Sequence, residues 1–168
     1  NIIFGNGGGD FFQNSPPLTE SYFTKSAGEW TSKEFPDKFQ NTGIVKSFDF
    51  DKDGDMDLFV GGYSITTKFG EFVPSYLYEN NKGVFTEITE FPTIEGMVTD
   101  ALWTDFDNDG WTDLIVVGEW MRPHFIKNQK GTMVDTPQTD ISGLWQSLYP
   151  FDIDGDCLLY TSPSPRDV

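Results

Sequence analysis

The chain has one cysteine, Cys157, and one histidine, His124, in 168 residues. A lone cysteine builds no disulfide framework and offers no zinc spacing, and it leaves the redox compartment open. A lone histidine with no Ser or Cys nucleophile motif gives little footing for acid–base or nucleophilic catalysis. No apolar run approaches the roughly 18 residues that a spanning helix needs, so a direct membrane span is not expected. Gly7-Gly8-Gly9 lacks the Lys-Ser/Thr and the helix of a phosphate loop. Helical periodicity is almost absent as well. Basic residues are few: 11 Lys and Arg against 27 Asp and Glu give a formal charge of −16. That balance opposes binding to nucleic acid or to an anionic membrane surface. Because residue 1 is Asn rather than Met, a missing leader carries no information about export.

The residues in good supply are Gly, with 17, and the aromatics, at 16%. Together they point to β-structure with many turns, in a chain long enough to bury one core. The acidity is concentrated. Asp49-Phe50-Asp51-Lys52-Asp53-Gly54-Asp55-Met56-Asp57 runs into the apolar Leu58-Phe59-Val60, and the pattern returns at Asp105-Phe106-Asp107-Asn108-Asp109-Gly110-Trp111-Thr112-Asp113 before Leu114-Ile115-Val116. Asp152, Asp154 and Asp156 begin it a third time, so these loops hold 12 of the 27 acidic residues.

Carboxylates at loop positions one, three, five and nine, with Gly at six, suit a hard cation that takes six to eight oxygens. Asp49, Asp51, Asp53 and Asp57 with the carbonyl of Asp55 form the first expected Ca2+ site. Asp105, Asp107, Asp109 and Asp113 with the carbonyl of Trp111 form the second. A single such loop could be a solvated acidic turn, but recurrence argues against that reading. An EF-hand needs a Glu at position twelve between two helices; Val60 and Val116 stand there, inside β-branched runs. In the third loop Pro150 and Leu158 occupy positions one and nine, leaving Asp152, Asp154 and the carbonyl of Asp156. That site is expected to be weak or empty.

A hairpin with a glycine turn follows each loop: Leu77 to Phe85 around Gly83, and Phe125 to Met133 around Gly131. Tyr22 to Trp30 around Gly28 matches them. Each unit therefore reads as strand A, acidic loop, strand B and a C–D hairpin. Spacings of 56, 48 and 45 residues between equivalent positions fit the four-stranded blade of a β-propeller. Leu58 to Val60 and Leu114 to Val117 lack alternation, as expected for strands covered on both faces. Asn1 to Gly5 matches Asp57 to Gly61, which predicts a chain that begins mid-repeat. The expected fold is all-β: about two complete antiparallel blades plus parts of two others, over 1–156. Such a piece would need the remaining blades of a longer propeller to close the ring. Residues 157–168 depart from the repeat in a Ser/Pro stretch that resembles translated adapter sequence, with a disordered linker as the alternative.

These loops resemble the FG-GAP or VCBS repeats of calcium-dependent propellers of the integrin α type. More narrowly, residues 98–105 and 117–121 resemble bacterial ASPIC/UnbV-associated repeat proteins. The resemblance implies a Ca2+-stabilised binding or scaffold module in an extracellular, cell-surface or periplasmic setting, with a protein or glycan partner. An alternative is part of a secreted carbohydrate-active enzyme, which would need two acidic residues outside the metal loops in one cleft. Alternating strand direction puts the A–B loops and C–D turns on one face, and the B–C and D–A loops on the other. On that second face lie 6–20, 62–75, 89–96, 118–123 and 136–143. Phe72, Glu119 and Trp120 are the expected ligand contacts there, because recognition is usually built on loops carried by a rigid scaffold. Trp120 is expected in a loop, and packing into the core is the leading alternative to a ligand contact for it. Trp103 and Trp145 are expected to pack blades.

Overall fold

The computed structural model describes residues 1–5, 21–33, 35–36, 41–65, 68 and 71–151. Among these there is no helix, and twelve strands form three antiparallel sheets. The first holds β1 (Ile2–Phe4), β2 (Ser21–Ser26) and β3 (Glu29–Lys33). The second holds β4 (Thr42–Phe48), β5 (Asp57–Gly62), β6 (Tyr76–Asn81) and β7 (Val84–Glu87) in that order. In the third, β8 (Met97–Thr104), β9 (Asp113–Met121), β10 (His124–Gln129) and β11 (Thr132–Asp135) repeat the arrangement, and β12 (Gly143–Leu144) pairs with the end of β9. Two complete four-strand meanders and part of another are the expected partial propeller. The third acidic loop, 6–20 and 157–168 lie outside the described residues.

Each hairpin turns through two residues with positive φ: Ala27 and Gly28, Lys82 and Gly83, Lys130 and Gly131. That is the type I′ geometry, whose twist matches the flanking strands and which favours glycine at its second position. Inner strand β5 is buried at every residue, and β9 at six of its nine. The unbroken apolar run of β5 thus lies between neighbouring sheets, and Leu114 and Val116 of β9 face the second sheet.

The core is the seam between the second and third sheets. Phe50, Phe59 and Leu77 meet Val98, Ala101, Leu114, Val116 and Ile126 there. Trp103 stacks on Phe48 across the seam at 5.6 Å, the packing role expected of it. Gly43 permits the closest approach, since a Cβ on it would stand 2.0 Å from the carbonyl oxygen of Val98. A second cluster joins the first sheet to the second, where Phe35 lies edge-on to Tyr78 at 5.0 Å and to Phe85 at 5.2 Å.

One expectation is corrected. The span 118–123 is not a loop: β9 continues to Met121, leaving 122–123 as the B–C connection. The cause lies downstream, where β12 pairs Gly143 with Met121 and Leu144 with Glu119. Trp145 adds its backbone N–H to Gly118 O at 3.1 Å and its indole N–H to Met121 O at 2.9 Å. These partners satisfy the extended backbone beyond Val117, which a sequence window around 118–123 does not contain.

Candidate metal loops and the opposite cleft

The two acidic loops share a backbone trace. Position four is left-handed in each, with φ of 66° at Lys52 and 57° at Asn108; position six is too, at Gly54 (97°) and Gly110 (86°). The turns are held by their own carboxylates. Asp49 Oδ2 accepts from the N–H of Gly54 at 3.1 Å, Asp51 Oδ1 from Asp53 at 3.1 Å, and Asp53 Oδ1 from Asp55 at 2.8 Å. In the second loop Asp105 Oδ2 accepts from Gly110 at 2.9 Å, Asp107 Oδ1 from Asp109 at 3.3 Å, and Asp109 Oδ1 from Trp111 at 2.9 Å.

The position-nine carboxylates are fully buried, and each ties three segments together. Asp57 Oδ2 accepts from the N–H of Phe50 at 3.0 Å and its Oδ1 from Asn80 at 2.8 Å. Asp113 does the same with Phe106 at 3.1 Å and Asn128 at 2.8 Å. Burial pushes the Asp57 carboxyl up to about 6, with Asp51 and Asp53 adding to the rise, against the lowering effect of the two N–H donors. Burial likewise raises Asp113, with Asp107 and Asp109 adding to it. A cation among these groups would remove that repulsion.

Oxygens of Asp49, Asp51 and Asp57 lie within 4.8 Å of one another, as do those of Asp105, Asp107 and Asp109. Two oxygens each 2.3–2.6 Å from one Ca2+ can stand that far apart. Asp53 and Asp113 fall outside these two groupings. Asp55 Oδ2 accepts from the N–H of Lys82 at 2.7 Å, which ties the loop to the hairpin turn. Loop 49–57 passes a further test of fit: Asp49 Oδ1 is buried and has no hydrogen-bond partner among the described residues. An acceptor in that state is suited to a cation.

Sequence reasoning missed the residues that clamp the loops to the turns. Asn80 donates to Met56 O at 2.9 Å and accepts from Gly83 N–H at 2.7 Å. Asn128, fully buried, donates to Thr112 O at 3.0 Å and to Phe50 O at 2.7 Å, and accepts from Gly131 N–H at 2.8 Å. The bond to Phe50 crosses from one sheet to the loop of its neighbour. The only signal was an Asn three residues before the turn glycine in both hairpins.

At the opposite end of the strands a cleft of about 490 Å3 opens between the sheets. Phe72, Glu119 and Trp120, the three expected contacts, all line it, joined by Glu95, Arg122 and His124. Among the described residues, the other non-glycine ones with positive φ sit in turns or acidic loops, but Trp120 adopts φ 59° within β9 and is 58% exposed. Left-handed backbone at a bulky strand residue is strained, and such strain concentrates where a side chain is re-aimed for use. Glu119 accepts from Gln146 at 3.0 Å, and burial raises the Tyr63 hydroxyl pKa with Glu119 adding to the rise. His124 is buried, with Nδ1 2.9 Å from Asp135 Oδ2, which Arg122 also contacts at 2.5 Å. Burial lowers the His124 pKa and Arg122 adds to that, while Asp135 and Glu95 act in the other direction.

The FG-GAP-like repeat profile matches residues 49–116 and again 105–160, together 112 of the 168 residues. The chain belongs to the FG-GAP-like repeat family. Each match opens on the first Asp of an acidic loop, so the FG-GAP-like unit runs from loop through strand B, hairpin and strand A to the next loop. No curated protein and no solved structure matches the chain.

Proposed function

We propose that these FG-GAP-like repeats belong to a calcium-stabilised extracellular β-propeller that binds a protein or glycan through the cleft around Trp120. The observation that carries this reading is the division between two ends. Acidic loops and hairpin turns are bonded together at one end, while Phe72, Glu119 and Trp120 converge on a cleft at the other. Cation loops stiffen the scaffold; the cleft, with exposed aromatic rings beside carboxylates, does the recognising. FG-GAP-like repeats are typical of extracellular proteins, where free Ca2+ is plentiful. The propeller assignment extends over 1–156, with 157–168 outside it. The narrower likeness to ASPIC/UnbV-associated proteins rests on residues of β8 and β9.

The test is to screen the chain on a glycan array in Ca2+, and to repeat it with Trp120→Ala and Phe72→Ala. A signal lost in both variants, with Ca2+ affinity unchanged, supports the reading. A signal that survives both changes but disappears on altering the acidic-loop end places recognition elsewhere. A second reading is a carbohydrate-active enzyme, favoured by one observation: Glu95 and Glu119 lie outside the acidic loops and line the same cleft. Turnover of an array-positive glycan, abolished by Glu119→Gln with binding retained, would establish that reading over simple binding.

A further inference from the structure

The two acidic loops share a sequence pattern but differ in charge environment. In 105–113 the ammonium of Lys127 contacts Asp107 and lies 3.0 Å from Asp109 Oδ2. Lys52 reaches across from the neighbouring loop to donate to Gly110 O at 2.7 Å, with its charge 4.1 Å from the centre of the Trp111 ring. Both oxygens of Asp105 accept N–H bonds, from Asp109 at 3.2 Å and from Gly110 at 2.9 Å. In 49–57, among the described residues, no lysine or arginine is within ion-pairing distance of a carboxylate. Its Asp49 Oδ1 is buried and, among the described residues, has no hydrogen-bond partner. The strand position that holds Lys127 in β10, one residue before the clamping Asn128, holds Glu79 in β6 before Asn80.

We propose that Lys127 is a resident cation for loop 105–113, and that dependence on a bound divalent cation falls on loop 49–57. This rests on the calcium reading above. A divalent cation entering 105–113 must displace the Lys127 ammonium or share carboxylates with it. Displacement is open, since the Lys127 side chain is 28% exposed. The competition lowers affinity at 105–113 relative to 49–57 by about tenfold or more. The loops then fill in order as Ca2+ rises, 49–57 first.

Calorimetric Ca2+ titration of the full chain, with melting in chelator, tests this. Wild type is expected to show two classes of site, the tighter one deleted by Asp49→Asn. Lys127→Gln should tighten only the weaker class by about tenfold, and Lys127→Arg, which keeps the charge, should not. In chelator, Lys127→Gln should lower the melting midpoint, and Ca2+ should restore it; a variant that folds only with Ca2+ supports the proposal equally. Equal affinities in wild type, or a weak class unmoved by Lys127→Gln, would overturn it. An absence of Ca2+ binding in every variant is a different outcome, which removes the calcium reading and this proposal together.

Discussion

Asn128 shows how much of this architecture hangs on single buried polar groups. Its side chain satisfies Thr112 O, Phe50 O and Gly131 N–H, and so joins an acidic loop, a hairpin turn and the neighbouring sheet. Asn128→Ala leaves those three groups without partners and is expected to cost about 2–4 kcal/mol in denaturant unfolding. Asn80 has the same local role but, among the described residues, no bond across to a neighbouring sheet, so Asn80→Ala should cost less. His124 makes a pH prediction. Burial holds its folded pKa below the ordinary 6.5, against the pull of Asp135 and Glu95. The stability linked to neutral His124 is therefore complete above pH 6.5 and is lost as pH falls through the lowered folded value. Relative to His124→Asn, wild type should lose melting temperature as pH drops from 7.5 to 5, each an approximate setting around the histidine range. A difference independent of pH would refute the assignment.

Among the elements, the hairpins and the inner strands were legible in the sequence because their causes are local. Glycine at a left-handed turn position and an unbroken apolar run each declare themselves within a few residues. The extension of β9 through Trp120 was not legible, since its partner, β12, lies more than twenty residues downstream. The clamps of Asn80 and Asn128 and the ion pair of Lys127 were hidden for the same reason. The acidic positions could be read by spacing, but the cations that meet them arrive from other strands. Two glycines separate the local from the tertiary kind of constraint. At Gly83 an added Cβ meets nothing within 4 Å, so Gly83→Ala bears only the left-handed backbone cost, about 1–2 kcal/mol. Gly43→Ala must push β4 away from the backbone of Val98 and is expected to cost more, about 3 kcal/mol. Parallel denaturant melts of the two variants check the order.

At the scale of the whole molecule, much of the formal charge of −16 is gathered at one end, where loops 49–57 and 105–113 carry nine Asp. The other end is left to aromatic rings and a few carboxylates around a cleft. The acidic loops, as proposed above, are cation sites that hold the folded state together. The most direct measurement is the melting midpoint of the chain in saturating Ca2+ and in chelator. At free Ca2+ about a hundred times Kd, one occupied site adds about 2.7 kcal/mol. For a chain of this size that corresponds to a rise of about 5–10 °C, and Asp49→Asn should remove most of it. Identical midpoints in Ca2+ and in chelator would show that no cation in these loops supports the folded state.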